Sequence, residues 1–254
     1  MKSIVHRIYA DYLMPSRLHE YETLLMTAKD AGYAQMSIRR FFRGTKAKKV
    51  LVHRHDIDSD LRTARKIFNL ECRHGVNASY YFRLRTLDIG FMRDIEDAGS
   101  EASYHYEEVA TFAKRRHLHD PAEVRRHFPA LRDQFAINVA RITAALGRSL
   151  STVASHGDFA NRKLGIVNHE LLDDATLRKR CGIECETYDE ALLSQFDLYI
   201  TDRKHPVYYK PISPFDALGQ NQRICLLTHP VQWETNWIDN TCCNFHRLSE
   251  GIRW

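Results

Sequence analysis

The sequence predicts an α/β fold built on a parallel sheet, and two observations carry that prediction. Short apolar runs rich in β-branched and aromatic residues alternate along the chain with segments of helical periodicity. Strands separated by helical stretches imply parallel pairing, and this many units suggests a closed barrel or a doubly wound sheet. Dividing the 254 residues by roughly 150 per domain leaves one large domain or two small ones. No linker, repeat or low-complexity stretch divides the chain, so 1–254 reads as one domain, with 1–47 a helical extension packed on it.

The elements follow in order. Ser16 offers an N-cap for a first helix that Gly32 ends, and a short strand is expected at 36–38. Residues 48–58 read as a buried strand, and 61–74 as a helix stopped by Gly75. An aromatic strand at 78–84, a helix at 89–98 ended by Gly99, and a strand at 101–105 come next. Asp120-Pro121-Ala122-Glu123 places an acidic cap, a first-position proline and a nearby glutamate at a helix start. That helix is expected to run to Gly147, with Leu131, Phe135, Val139, Ile142 and Leu146 as its apolar stripe. Further strands are expected at 152–156, 183–187, 198–201 and 224–228.

Composition narrows the function. Hydrophobic residues at 44% and charged residues at 27% are those of a folded globular chain and exclude a disordered or collagen-like one. No apolar run approaches the roughly 18 residues of a bilayer span, and the first residues lack the pattern of a secretory signal, which predicts a cytoplasmic protein. The net charge is +5, but the clusters Lys114-Arg115-Arg116 and Arg125-Arg126 sit among acids and histidines. They read as a solvated face, and no nucleic-acid partner is expected. Free thiols are expected in a cytosolic setting. Cys181 and Cys185 have no matching second pair for a structural zinc. The terminal segments leave room for oligomerisation.

In parallel α/β folds chemistry collects where strands end. The strand 48–58 ends in His53-Arg54-His55-Asp56-Ile57-Asp58, and its two-residue period puts Arg54, Asp56 and Asp58 on one face. Carboxylates that close repel unless a cation relieves them. Arg54 and a metal ion are the candidates; the competing reading is a buried Arg–Asp pair that holds loops. His53 and His55 face the other way, toward structural contacts. Further strand ends carry His105, His156 (followed by Gly157-Asp158) and His229. An aspartate and three histidines at four strand ends point to a metal-dependent hydrolase. Trp233 is expected to cap the barrel edge, as is Trp237.

Arg54-His55-Asp56-Ile57-Asp58, followed by Ala78-Ser79-Tyr80-Tyr81-Phe82, resembles the opening of the polysaccharide deacetylases, carbohydrate esterase family 4. The run from Ala98 to Glu107 resembles that family's second motif, and Leu226-Leu227-Thr228-His229-Pro230 its last. The match extends over 48–232 and is most similar to the intracellular branch found with surface-glycan biosynthesis. The resemblance implies a distorted (β/α) barrel of seven to eight parallel strands. It also implies a divalent metal, zinc first, and removal of an N-acetyl (or N-formyl) group from an amino sugar or glycan intermediate by metal-bound water. Asp56 then corresponds to the catalytic base and Asp58 to the metal-binding aspartate. Ile57 separates two residues that are usually adjacent, so the two roles are open to exchange. His105 corresponds to the first metal-binding histidine.

The second histidine of the family pattern falls on Val109, which cannot ligate. His156 is the first choice for a replacement third ligand and Glu108 the second. The arginine of the family's third motif is also missing near His156, which leaves Arg54 to orient the base. His229 corresponds to the general acid, and Asp202 to the residue that orients it. Val109 opens a second reading: a catalytically degenerate deacetylase-fold protein that binds a glycan or protein partner.

Overall fold

Runs of valine, isoleucine and aromatic residues form nine strands in the computed structural model, which describes residues 2–253. Met1 and Trp254, the ends of the expected domain, lie outside the described residues. The strands are β1 (Ala34–Met36), β2 (Val50–Ile57), β3 (Ser79–Phe82), β4 (Glu101–Tyr106), β5 (Thr152–Ser155), β6 (Cys185–Glu186), β7 (Leu198–Asp202), β8 (Tyr209–Lys210) and β9 (Arg223–Thr228). Their order is β6-β5-β4-β3-β2-β9-β7-β8, with β1 beside β2. Every pairing is parallel except β7–β8. The sheet curls into a half-barrel, a distorted (β/α) barrel with β6 and β8 at its edges.

β2 lies at the centre, and all eight of its residues are buried, as a parallel strand covered on both faces requires. β9 runs along one side of it, while β1 and β3 share the other side end to end. Alternation then sorts the side chains. Ile57, Tyr80, Phe82, Tyr104 and Tyr106 point outward into the core beneath the helices, packing with Phe91 and Phe135. Arg54, Asp56, Tyr81 and His105 take the alternate, inner positions. His53 and His55 do make the structural contacts expected of them. His53 Nε2 is 2.8 Å from Gln35 Oε1, and His55 Nε2 is 2.8 Å from the buried Glu71, which also accepts from Tyr21 and Tyr80.

The helix Leu61–His74 ends as expected at Gly75, whose φ of +67° is the left-handed cap that glycine adopts without strain. Other boundaries differ from expectation. The helix expected from Asp120 to Gly147 is two helices, Pro121–Arg126 and Phe128–Leu146, because Pro129 lacks an N–H and sits in the first turn of a new helix. The first strand lies at 34–36 rather than 36–38, because Ser37 accepts from Arg40 N and caps the short helix Ile38–Phe42. Residues 2–47 therefore contribute β1 to the sheet as well as helices. A helix that the sequence did not announce, Trp237–Arg253, closes the described chain. Among the described residues no helix is long and apolar enough to cross a membrane.

Phe135 is fully buried, stacked at 6.0 Å on Tyr104 and edge-on at 5.1 Å to Tyr106. Phe135→Ala should lower stability by about 3–5 kcal/mol, read from the denaturant midpoint. A loss below about 1 kcal/mol would mean that this layer does not hold the outer helices to the sheet.

Candidate active site

Register brings the candidate residues level. One residue beyond the row Ile57–Phe82–Tyr104, Asp58 and His105 stand side by side across the sheet. One residue beyond the pair His55–Thr228, His229 stands beside Asp56. The extra residue Ile57 is accommodated by putting its own side chain into the outer core. Ile57 is the centre of a tight turn in which Asp58 N donates to Asp56 O at 3.0 Å. His156 follows β5, and its main chain is held on both sides: its N–H donates to Tyr106 O at 2.8 Å and its carbonyl accepts from Asn168.

Three ligand-type atoms converge there. Asp58 Oδ1 is 3.0 Å from His156 Nδ1 and 3.4 Å from His105 Nε2, and the two ring nitrogens are 3.2 Å apart. His105 Nδ1 is 2.9 Å from the carbonyl of Ala154. A proton held on Nδ1 by that carbonyl leaves the Nε2 lone pair facing the cluster. Burial pushes the His156 imidazole below its usual range, against the pull of Asp58 beside it. Burial alone would raise the Asp58 carboxyl, but His156 and His105 outweigh it and hold it well below the usual carboxylate range.

These features fit a divalent ion. Asp58 Oδ1 is shielded from solvent and has no hydrogen-bond partner, and the three atoms lie within one coordination sphere. A carboxylate and two imidazoles are the donors of an open zinc-type site, with a fourth position for a small ligand.

The flanking residues form two pairs. Arg54 is fully buried, and its Nε and Nη2 grip Asp56 at 2.9 and 2.8 Å. Burial would raise the Asp56 carboxyl, but Arg54 and then His105 hold it lower, so it is ionised at neutral pH. His229 Nδ1 is 2.7 Å from Asp202 Oδ1, and its N–H donates to Asp202 Oδ2 at 2.7 Å. Trp233, fully buried, donates to the same carboxylate at 3.1 Å. Burial opposes the charged imidazole, yet Asp202, with Asp58 and Asp56 behind it, pushes the His229 pKa up to about 9. His229 therefore carries a proton at neutral pH.

All seven sequence-nominated residues thus meet at one end of the sheet. Glu108 does not join them; it is turned outward, accepting from Tyr104 and Asn138 at 2.8 and 2.9 Å. Val109 is a buried core residue. Trp237 is largely exposed, at 61%, and so is no buried cap for the barrel edge. Sequence reasoning missed the phenols of Tyr199 and Tyr188, which accept from Arg54 at 3.0 and 3.4 Å. It also missed Glu186, which accepts from Ser155 N at 2.8 Å beside His156 and is pushed by burial to a pKa of about 7. The only sequence signal for either was an aromatic or acid at a short strand's end.

No protein-family model and no curated protein matches the sequence. Solved structures similar to the chain include a CE4-family pseudoenzyme from Bacillus anthracis and a mutant of it described as having restored enzymatic activity. Both neighbours are CE4 proteins. Each is 15% identical with a TM-score of 0.44 over 81% of this chain, which spans 63% of the first and 65% of the mutant. The chain therefore covers less than two thirds of the length of either.

Two outcomes follow from the geometry. Asp202→Asn should bring the His229 pKa down from about 9 by at least about one unit, since the adjacent charge that raised it is gone. A histidine ring NMR titration reads this, and an unchanged value would contradict it. Asp56→Asn leaves the Arg54 charge buried and unpaired, and should destabilise the protein by about 3–5 kcal/mol. A neutral effect on the unfolding free energy would show that Arg54 is not held by that carboxylate.

Proposed function

We propose that the chain is a metal-dependent hydrolase of the polysaccharide deacetylase type, which removes an N-acetyl or N-formyl group from an amino sugar or glycan intermediate. The observation that carries this reading is the convergence of Asp58, His105 and His156 within 3.4 Å. His156 arrives from β5, where the family pattern would have used position 109, so Val109 does not by itself remove the third ligand. Zinc is the proposed ion, since two imidazoles and a carboxylate suit it. The cytoplasm is the proposed compartment, in keeping with six free cysteines.

Asp58, His105 and His156 would hold the ion, which when bound polarises a carbonyl and lowers the pKa of water to about 7. Asp56, kept ionised by Arg54, accepts the proton of the water that attacks the acyl carbonyl. The Asp158 N–H is already spent on Asn161 Oδ1 at 3.1 Å, which leaves the Gly157 N–H as the main-chain donor for the developing oxyanion. His229 gives its proton to the amine nitrogen as the C–N bond breaks, and Asp202 keeps the ring oriented through Nδ1. The products are a carboxylic acid and the free amino sugar.

Zinc content and acyl release from N-acetyl and N-formyl amino sugars test this reading. One zinc per chain is expected, with release abolished by a chelator and restored by zinc. Asp58→Asn and His156→Ala should each lose the metal. His229→Gln should retain it while activity falls on the order of 100- to 10,000-fold. Zinc held normally by His156→Ala would overturn the ligand assignment. A zinc-loaded protein that releases no acyl group but binds glycan would favour the degenerate reading.

A further inference from the structure

A cavity of about 170 Å³ reaches from Asp58 and His229 to the C-terminal helix Trp237–Arg253. Its volume is below the roughly 300–1,000 Å³ of pockets that engulf a drug-sized ligand. It suits one sugar unit with a small substituent, not a polymer lying in a groove. Arg203 and Lys204, just past β7, line it on one side, and Arg247 of the C-terminal helix on the other.

The charges in this cavity do not balance. Three carboxylates line it, and each is already engaged. Asp202 is held by His229 and Trp233, Asp58 faces His105 and His156, and Asp11 contacts Lys204 and accepts from Asn244 at 3.1 Å. Arg203 and Arg247 have no carboxylate partner among the described residues. An unused acceptor adds to this: Gln232 lines the cavity, and its Oε1 is shielded from solvent and has no hydrogen-bond partner. Two free guanidinium forks facing one small space match the oxygens of a phosphoryl group.

We propose that this cavity selects a small N-acyl amino sugar bearing a phosphoryl group. The amide lies at Asp58 and His229, a sugar hydroxyl donates to Gln232 Oε1, and the phosphoryl oxygens accept from Arg203, Lys204 and Arg247. The amide end rests on the deacylase reading; the anion end does not.

Calorimetry of inorganic phosphate against the metal-free full-length protein tests the anion end alone. Binding is expected in the wild type and should weaken at least tenfold in both Arg203→Gln and Arg247→Gln. Both arginines are exposed, so unchanged melting temperatures check the folding of the variants. The zinc-loaded enzyme should then prefer N-acetylglucosamine 1-phosphate or 6-phosphate to N-acetylglucosamine at least tenfold in kcat/KM, mostly through KM. Arg203→Gln should collapse that preference. Phosphate binding that neither substitution alters overturns the proposal, as does acyl release with equal kcat/KM for charged and uncharged sugars; the deacylase reading survives the second result. Arginine-dependent phosphate binding without acyl release from any of these sugars would keep the anion site and remove the deacylase reading.

Discussion

A guanidinium with no access to water must find its counter-charge inside the fold. Arg54 finds it two residues along its own strand, in a two-pronged grip on Asp56, with the phenols of Tyr199 and Tyr188 taking two more of its five N–H groups. Such a pair recovers little net stability, because both ions lose hydration. What it does secure is direction and charge. Both side chains must face the inside of the half-barrel, and Asp56 must remain ionised. With β2 oriented in this way, register with β3, β4 and β9 sets Asp58 level with His105 and His229 level with Asp56.

Much of this was legible in the sequence, for physical reasons that differ from residue to residue. β2 and β9 are short apolar runs ending in charged or imidazole residues, a pattern that only a buried strand with a polar end explains. The helix Leu61–His74 carries its own stop at Gly75. The candidate ligands were legible because strand ends converge in a parallel fold, so His105 and His156 could be paired although 51 residues apart. Other features depend on contacts that a linear reading cannot see. Tyr188 and Tyr199 look like ordinary strand aromatics until Arg54 is placed between them. Glu108 looks like a ligand until its helix is seen to turn it toward Asn138. Arg203 and Arg247 come from distant segments and share a cavity only because the C-terminal helix packs on Tyr9–Leu13, with Asn240 and Asn244 bonded to Asp11.

In the proposed metal site the ligand absent at Val109 is supplied from another strand. Two histidines a helical turn apart would give a rigid grip from a single element, whereas the proposed triad of Asp58, His105 and His156 is divided among β2, β4 and β5. Its rigidity must then come from outside the ligands. The Ala154 carbonyl orients His105, Tyr106 and Asn168 pin the main chain of His156, and Glu186 fixes the residue before it. Outer contacts of this kind commonly govern metal affinity as strongly as the ligands do. X-ray absorption at the zinc edge of the loaded protein tests this divided triad most directly. Two imidazole nitrogens at about 2.0–2.1 Å and a carboxylate oxygen at about 2.0–2.2 Å are expected. A spectrum with a single imidazole, or one that His156→Ala leaves unchanged, would contradict it.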